Sequence, residues 1–361
     1  MCDSDKVDLR GGLARGDFAC QLGIEPAKAV AAAGSFTLTL RAIDLFCGGG
    51  GSSWGARDAG AVMVGAVDAW DVAAKTYEAN FPTARVVCAK LRQGSPLPAR
   101  LNMDRIDLLV ASPECTHHSI ARGAKPLNEE SRRSGRLVLP FIREMTPRWI
   151  VLENVPRMRS WPGFDEMIRG IERCGYRLRM QVLDAADFGV PQTRRRLFII
   201  GDRFREPPSI ILPRRKPRMA AAILDPVGRW NAERVFNGRR AAATVKRIKS
   251  AIKELGRGTD FLTVYYGSDY AGGWQRLERP LRTLTTLDRF GLVQWINREP
   301  TLRMLQVPEL KRAMGLPSAF RLDHGTRRDK VKLLGNGVCA PVMRHVVATL
   351  IDGDIELAAA E

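Results

Sequence analysis

From residue 40 onward, short apolar runs alternate with stretches of helical spacing. LRAIDLF (40–46), VMVGAVD (62–68), IDLLVAS (106–112), WIVLENV (149–155) and RLFIIG (196–201) predict strands. Between them, the spacing predicts helices over 70–80, 131–145 and 163–174. Near-continuous apolar strands separated by helices call for a mostly parallel sheet covered on both faces, an α/β fold. After Gly201 the rhythm breaks at Pro207, Pro208, Pro213 and Pro217. Residues 261–293 then read as short strands and loops, and helical spacing returns over 306–315 and 340–352. Residues 1–39 hold no sustained period and read as a poorly ordered extension, with at most one short helix.

Composition narrows this picture. With 361 residues, 45% of them hydrophobic, the chain can bury a large core or two smaller ones. No run approaches 18 consecutive apolar residues, which argues against a membrane span. The first 20 residues lack the apolar centre of a secretory signal. Seven scattered cysteines, with no C-x-x-C pair, fit reduced thiols in a cytoplasmic protein. The net charge is +18, and residues 203–257 carry 15 Lys and Arg against 4 Asp and Glu. A basic run is usually a solvated face, but an excess this concentrated favours a nucleic acid partner.

The candidate chemistry sits where strands end. AIDLFCGGGGSSWG (42–55) places four glycines between a strand and a helix, where the backbone can turn tightly and approach a ligand. Asp68 ends the next strand, where a carboxylate can accept from ribose hydroxyls or simply cap the helix over 70–80. Together they favour an adenosine-containing cofactor, either a nicotinamide dinucleotide or S-adenosylmethionine. Trp70 could stack on adenine or fill the core. SPEC (112–115), ENV (153–155) and QTRRR (192–196) bring a thiol, a carboxyl and guanidiniums to neighbouring strand ends. Cys115 by itself could be a buried thiol or a nucleophile. A metal site is set aside, because Cys115, His117 and His118 on one loop cannot easily face one ion.

These stretches, in this order, resemble the cytosine-C5 DNA methyltransferases. DLFCGGGG resembles that family's cofactor loop, SPEC its Pro-Cys nucleophile loop, and ENV and QTRRR its base-binding motifs. RMLQVPELKRAMGLP (303–317) and LLGNGV (333–338) resemble its last two. The resemblance covers roughly residues 41–361. It implies a Rossmann-like S-adenosylmethionine-dependent methyltransferase domain with a small basic target-recognition domain. The expected division is an extension over 1–39, a catalytic domain over 40–205, a recognition domain over 206–305, and a hinge and return to the catalytic domain over 306–361.

The resemblance also assigns roles. Cys115 is the nucleophile, Glu153 the protonated donor to the base, and Asn154 the residue that orients the loop. Arg194 and Arg196 contact the base and a neighbouring phosphate, with Gln192 holding that segment on the substrate side. Phe46, Gly48, Gly50, Gly51, Asp68, Trp70, Pro113, Asn336 and Val338 surround the S-adenosylmethionine. Thr285, Thr286 and Arg289 are candidates for reading double-stranded DNA. The implied reaction is methyl transfer to C5 of a cytosine flipped from the duplex, by a cytoplasmic monomer of restriction–modification type. The alternatives are a tRNA cytosine-C5 methyltransferase and a DNA-binding relative with weakened catalysis. A nicotinamide oxidoreductase would rest on the glycine loop alone. The chain departs from the family at four positions: Glu114 replaces a proline, Thr116 a glutamine, Lys90 an acid, and Gly337 a serine or alanine. An ionised Glu114 beside Cys115 would oppose formation of the thiolate.

Overall fold

The computed structural model describes residues 39–94, 96–101, 105–113, 133–213, 215–265 and 273–358, Arg133 and the last five as backbone only. A seven-stranded sheet forms the centre, in the order β3-β2-β1-β4-β5-β7-β6. Its strands are β1 (Arg41–Leu45), β2 (Val62–Asp68), β3 (Arg85–Cys88), β4 (Leu108–Ala111), β5 (Trp149–Asn154), β6 (Arg177–Asp184) and β7 (Arg195–Asp202). β1 to β5 are parallel, whereas β7 runs antiparallel to both β5 and β6.

Alternation along each buried strand separates two cores. Ala42, Leu108, Val110 and Val151 face one side, with α1 (Gly51–Asp58), α2 (Asp71–Asn80) and α8 (Ala340–Ala358). Ile43, Leu45, Leu109, Ile150 and Leu152 face the other, with α3 (Leu139–Met145) and α4 (Phe164–Glu172). α1 and α8 touch at Gly55, where a Cβ would stand 2.3 Å from the Ala340 carbonyl oxygen. Only glycine permits that approach.

The strand order reverses between β1 and β4, so the loops after both strands open at a switch point, the usual ligand crevice of such sheets. Because β7 is antiparallel, its first residues lie at the same edge as the last residues of β5, with Asn154 opposite Leu197. This reversal brings QTRRR to ENV.

A second, antiparallel sheet has the order β10-β9-β11-β12-β8. It comprises β8 (Glu233–Arg234), β9 (Phe261–Val264), β10 (Trp274–Arg276), β11 (Phe290–Ile296) and β12 (Glu299–Met304). On one face, Phe261, Val293 and Leu302 pack under α5 (Ala242–Leu255) through Ile248 and Ala251. On the other, Leu262, Val264, Phe290 and Leu292 join the first core beside α6 (Val307–Ala313) and α7 (Arg327–Asn336). A buried bidentate pair, Arg303 to Glu309 with both contacts at 2.7 Å, fastens β12 to α6.

All five expected strands are present, and the helices over 70–80, 163–174 and 306–315 fall on α2, α4 and α6. The stretch expected as one helix over 131–145 is a 3-10 turn, Arg133–Val138, followed by α3; Pro140 fits only the first turn of a new helix. β6, α5 and α7 were not expected. β6 is an edge strand whose exposed Met180 and Val182 leave no continuous apolar run. In α5 the stripe of Ile248 and Ala251 is hidden among lysines. Residues 327–353 are long and apolar enough to cross a membrane, but 56% of the most apolar window is buried. Met343, Val346, Val347 and Leu350 there belong to the core. The extension over 1–38 and residues 114–132 lie outside the described residues.

Candidate active site

The loop after β1 turns on left-handed backbone at Phe46 (φ 57°), Gly48 (φ 53°) and Gly50 (φ 92°). Asp68, at the end of β2, holds it: the Gly48 amide donates to Oδ2 at 2.8 Å and the Trp70 amide to Oδ1 at 2.9 Å. Burial raises the Asp68 pKa, against these amides and the Lys332 ammonium, which lower it. Each oxygen accepts one bond from these amides, so lone pairs remain for a ligand hydroxyl. Asp68 is therefore both a tie for the loop and an available acceptor. A Cβ on Gly51 would stand 2.6 Å from the Val338 carbonyl oxygen, so the segment carrying Asn336 and Val338 lies directly over the loop. Asn336 is exposed and Val338 buried. Trp70 is half-buried, with the Lys332 ammonium 4.1 Å from its ring centroid.

Beneath the glycines lies a residue the sequence reading missed. Asp44, fully buried in β1, accepts on Oδ2 from the Ser52 and Ser53 hydroxyls at 2.5 and 2.6 Å, and Tyr77 donates to Ser53. Oδ1 has no hydrogen-bond partner among the described residues. Burial pushes this carboxyl up to about 7, the two serines opposing it. An acid inside the apolar run AIDLF was the available signal.

At the next two strand ends, the buried Pro113 closes the segment after β4, and Cys115 lies outside the described residues. What the structure places is the anchor of its loop. The Asn154 side chain donates to the Pro113 carbonyl at 3.1 Å and accepts from the Val155 amide at 2.9 Å. Glu153, only 5% exposed, emerges on the sheet face of Val151 and Phe198. Arg196 Nε stands 3.1 Å from Glu153 Oε1, but the angle does not make a hydrogen bond, and Oε1 has none among the described residues. Burial raises the Glu153 pKa against the opposing pull of Arg196 and Arg194. The misaligned contact returns less than full desolvation takes away. Glu153, Arg194, Arg196, Phe198, Val338 and Cys339 line a small pocket. Cys339, not anticipated, contributes a buried thiol pushed up to about 11 and therefore protonated.

Arg194 and Gln192 are both buried and tied to neighbouring segments. Expected at the base, the Arg194 guanidinium is buried and donates to the carbonyls of Leu284 at 3.0 Å and of Gly335 and Gly337, both at 2.8 Å. Gln192 is fully buried; its amide donates to the Ala313 carbonyl at 2.9 Å and accepts from the Leu284 amide at 2.8 Å. Arg194 also lines the pocket beside Glu153. The two side chains pin the second sheet's Leu284 stretch and the end of α7 to the first sheet. Thr285 and Thr286 are thereby set beside this edge, where a Cβ on Gly335 would meet the Thr285 carbonyl oxygen at 2.2 Å. Arg289 donates to the Tyr265 carbonyl at 2.9 Å.

Comparison with known proteins places the chain in a family. The Type II methyltransferase M.HgiDI of Herpetosiphon aurantiacus is 35% identical over 167 residues, 45% of this chain and 52% of that protein. M.AquIA, a Type II methyltransferase of Picosynechococcus, is 32% identical over 205 residues, 52% of this chain and 82% of that protein. Against M.HgiDI and M1.HphI of Haemophilus parahaemolyticus, the chain spans about half the relative's length. Among solved structures, the S. pombe Dnmt2 methyltransferase superposes with a TM-score of 0.62 at 18% identity, covering 87% of this chain and 99% of that one. That likeness bears on the fold alone. Residues 40–352 match the family description as a single span, from the first strand into the last helix, and the chain belongs to the C-5 cytosine-specific DNA methylases.

Proposed function

We propose that this protein transfers a methyl group from S-adenosylmethionine to C5 of a cytosine flipped out of duplex DNA. The observation that carries the reading is the buried Glu153 carboxyl facing a pocket beside Arg196, one residue before the Asn154 that holds the root of the Cys115 loop. Stacked bases hide the target atom, so extrusion is required, at roughly a few kcal/mol. In the pocket burial raises the Glu153 pKa, which favours the protonated carboxyl that would donate to the base N3. Arg196 offers a positive charge to the base O2. The Cys115 thiolate adds to C6, which makes C5 nucleophilic; C5 takes the methyl, and loss of the C5 proton with expulsion of the thiolate restores the ring.

The residues at the glycine loop fit the cofactor: three left-handed positions, a Gly51 with no room for a side chain, and an acid with spare lone pairs. When bound, S-adenosylmethionine supplies an electrophilic methyl on its sulfonium. Arg194 and Gln192 act by position, holding the two sheets around the edge. We further read residues 40–205 and 306–361 as the catalytic part and 206–305 as the recognition part. The second sheet and its basic α5 favour duplex DNA as the polyanion, with Thr285 and Thr286 beside Gly335 and Arg289 as a further candidate.

Covalent trapping tests this. Wild type and Cys115→Ser are incubated with S-adenosylmethionine and duplex DNA carrying 5-fluorocytosine, then run on denaturing gels. Fluorine at C5 cannot leave as a proton does, so turnover stalls as a thiol-linked adduct. A shifted band in wild type alone supports the reading. No band over a broad sequence pool, or an adduct only with tRNA, overturns it.

A further inference from the structure

Lys332 is an exposed lysine in the middle of α7, and such residues are usually solvated or paired with an acid one turn away, as Lys75 is with Asp71. Lys332 acts on Asp329 only at a distance and makes no ion pair among the described residues. The nearby Asp329 carboxylate is engaged by the amide and hydroxyl of Thr326 at the helix start. The Lys332 ammonium instead lies over the Trp70 ring, 4.1 Å from its centroid, and also acts on Asp68. Both targets belong to the edge read above as the adenosine site. The helix that carries Lys332 is fixed at both ends. Arg327 donates to Asp288, to the Leu305 carbonyl and to Gln306, and the Gly335 carbonyl accepts from Arg194. The ammonium therefore has a rigid base from which to hold a half-buried indole.

We infer that Lys332 is a positioning residue for the adenosine half of the cofactor, its ammonium seated on one face of Trp70 so that the other face is presented to the adenine. The electron-rich face of an indole attracts a cation, and the contact restrains a ring that ordinary packing covers only in part. Lys332 touches neither the reacting sulfur nor the base, so it acts through Trp70. This inference rests on the S-adenosylmethionine reading of the site.

The test is calorimetric binding of S-adenosylhomocysteine and of adenosine to the full chain, for wild type, Lys332→Met, Lys332→Arg, Trp70→Leu and Lys332→Met combined with Trp70→Leu. A loss on the scale of an exposed cation–π contact is expected: Lys332→Met weakens both ligands alike, by roughly two- to fivefold. Lys332→Arg stays near wild type, and Lys332→Met causes no further loss once Trp70 is leucine, the non-additivity of residues acting through one contact. Unchanged or tighter binding in Lys332→Met overturns the inference, the tighter case meaning that the ammonium occupies the place of the adenine. An undiminished loss in the Trp70→Leu background also overturns it, since Lys332 would then act elsewhere. Wild type that binds neither ligand sinks the cofactor reading itself, a result distinct from the others. Melting curves on each variant show that the fold is intact.

Discussion

The side-chain amide of Asn154 donates to the main-chain carbonyl of Pro113 at 3.1 Å, so the end of one buried strand holds the root of the loop that leaves its neighbour. Both residues are buried, and Pro113 stands two positions before Cys115. Where a thiol must meet a ring carbon, a displacement of about 1 Å can reduce the rate on the order of 100-fold. Asn154→Ala should therefore lower kcat by about that factor while duplex binding changes little. Pre-steady-state methylation and a filter-binding assay on the same preparation separate the two.

The two arginines should part company. Arg194→Ala removes donors from three carbonyls, and leaving buried polar groups unpaired costs about 1–3 kcal/mol each. It should lower the melting temperature by several degrees, and Arg194→Lys should not restore it, because one ammonium cannot reproduce the fork. Arg196→Ala should melt close to wild type yet lose activity, since its charge faces Glu153 and the pocket. Paired melting and turnover measurements check this.

Asp44 gives the stability a pH dependence. In the folded state burial holds its proton up to about pH 7, whereas in the unfolded chain it leaves near 3.8. Between those values the folded state binds more protons, so the Asp44 contribution to stability falls as pH rises. Below the window both states are protonated; above it both are ionised and the whole burial penalty applies. Each pH unit across the window is worth about 1.4 kcal/mol at most. Asp44→Asn keeps an oxygen that accepts from Ser52 and Ser53 but cannot ionise. Urea unfolding should show it gaining on wild type from pH 4 to pH 7 and holding that gain above.

Helix α5 should carry phosphate contacts if the second sheet holds the duplex. Lys246, Lys249 and Lys253 lie along one exposed stripe, and none is ion-paired among the described residues. Each phosphate neutralised adds about 0.9 to the slope of log affinity against log salt. Replacing all three by glutamine should lower that slope by nearly 3 while kcat at saturating DNA holds. An unchanged slope would place the duplex elsewhere.

The five inner strands of the main sheet were legible because burial on both faces writes each as a largely apolar run. The glycine loop, Asp68, Glu153 and Asn154 were legible for a related reason: in a parallel sheet the chain leaves every strand at the same edge, so strand ends are site positions. β6 escaped because an edge strand needs apolar residues only where it is covered, and α5 because its charged face outnumbers its buried stripe.

What the sequence determined by itself was the layered α/β fold, the order of its strands along the chain and the residue types at their ends. Periodicity is a local property, and burial imposes it wherever a strand or helix sits. Tertiary structure alone decided the roles of individual side chains. Arg194 and Arg196 are two residues apart in one basic run, yet one binds three carbonyls contributed from residues 284, 335 and 337, and the other faces a carboxyl. Asp44 became an acid that keeps its proton up to about pH 7 only because the fold buries it completely, with Ser52 and Ser53 donating to one oxygen and opposing that shift. Lys332 reached Trp70 across more than 260 positions of chain. Such assignments depend on which groups the fold brings within about 3–4 Å, and no local pattern encodes those distances.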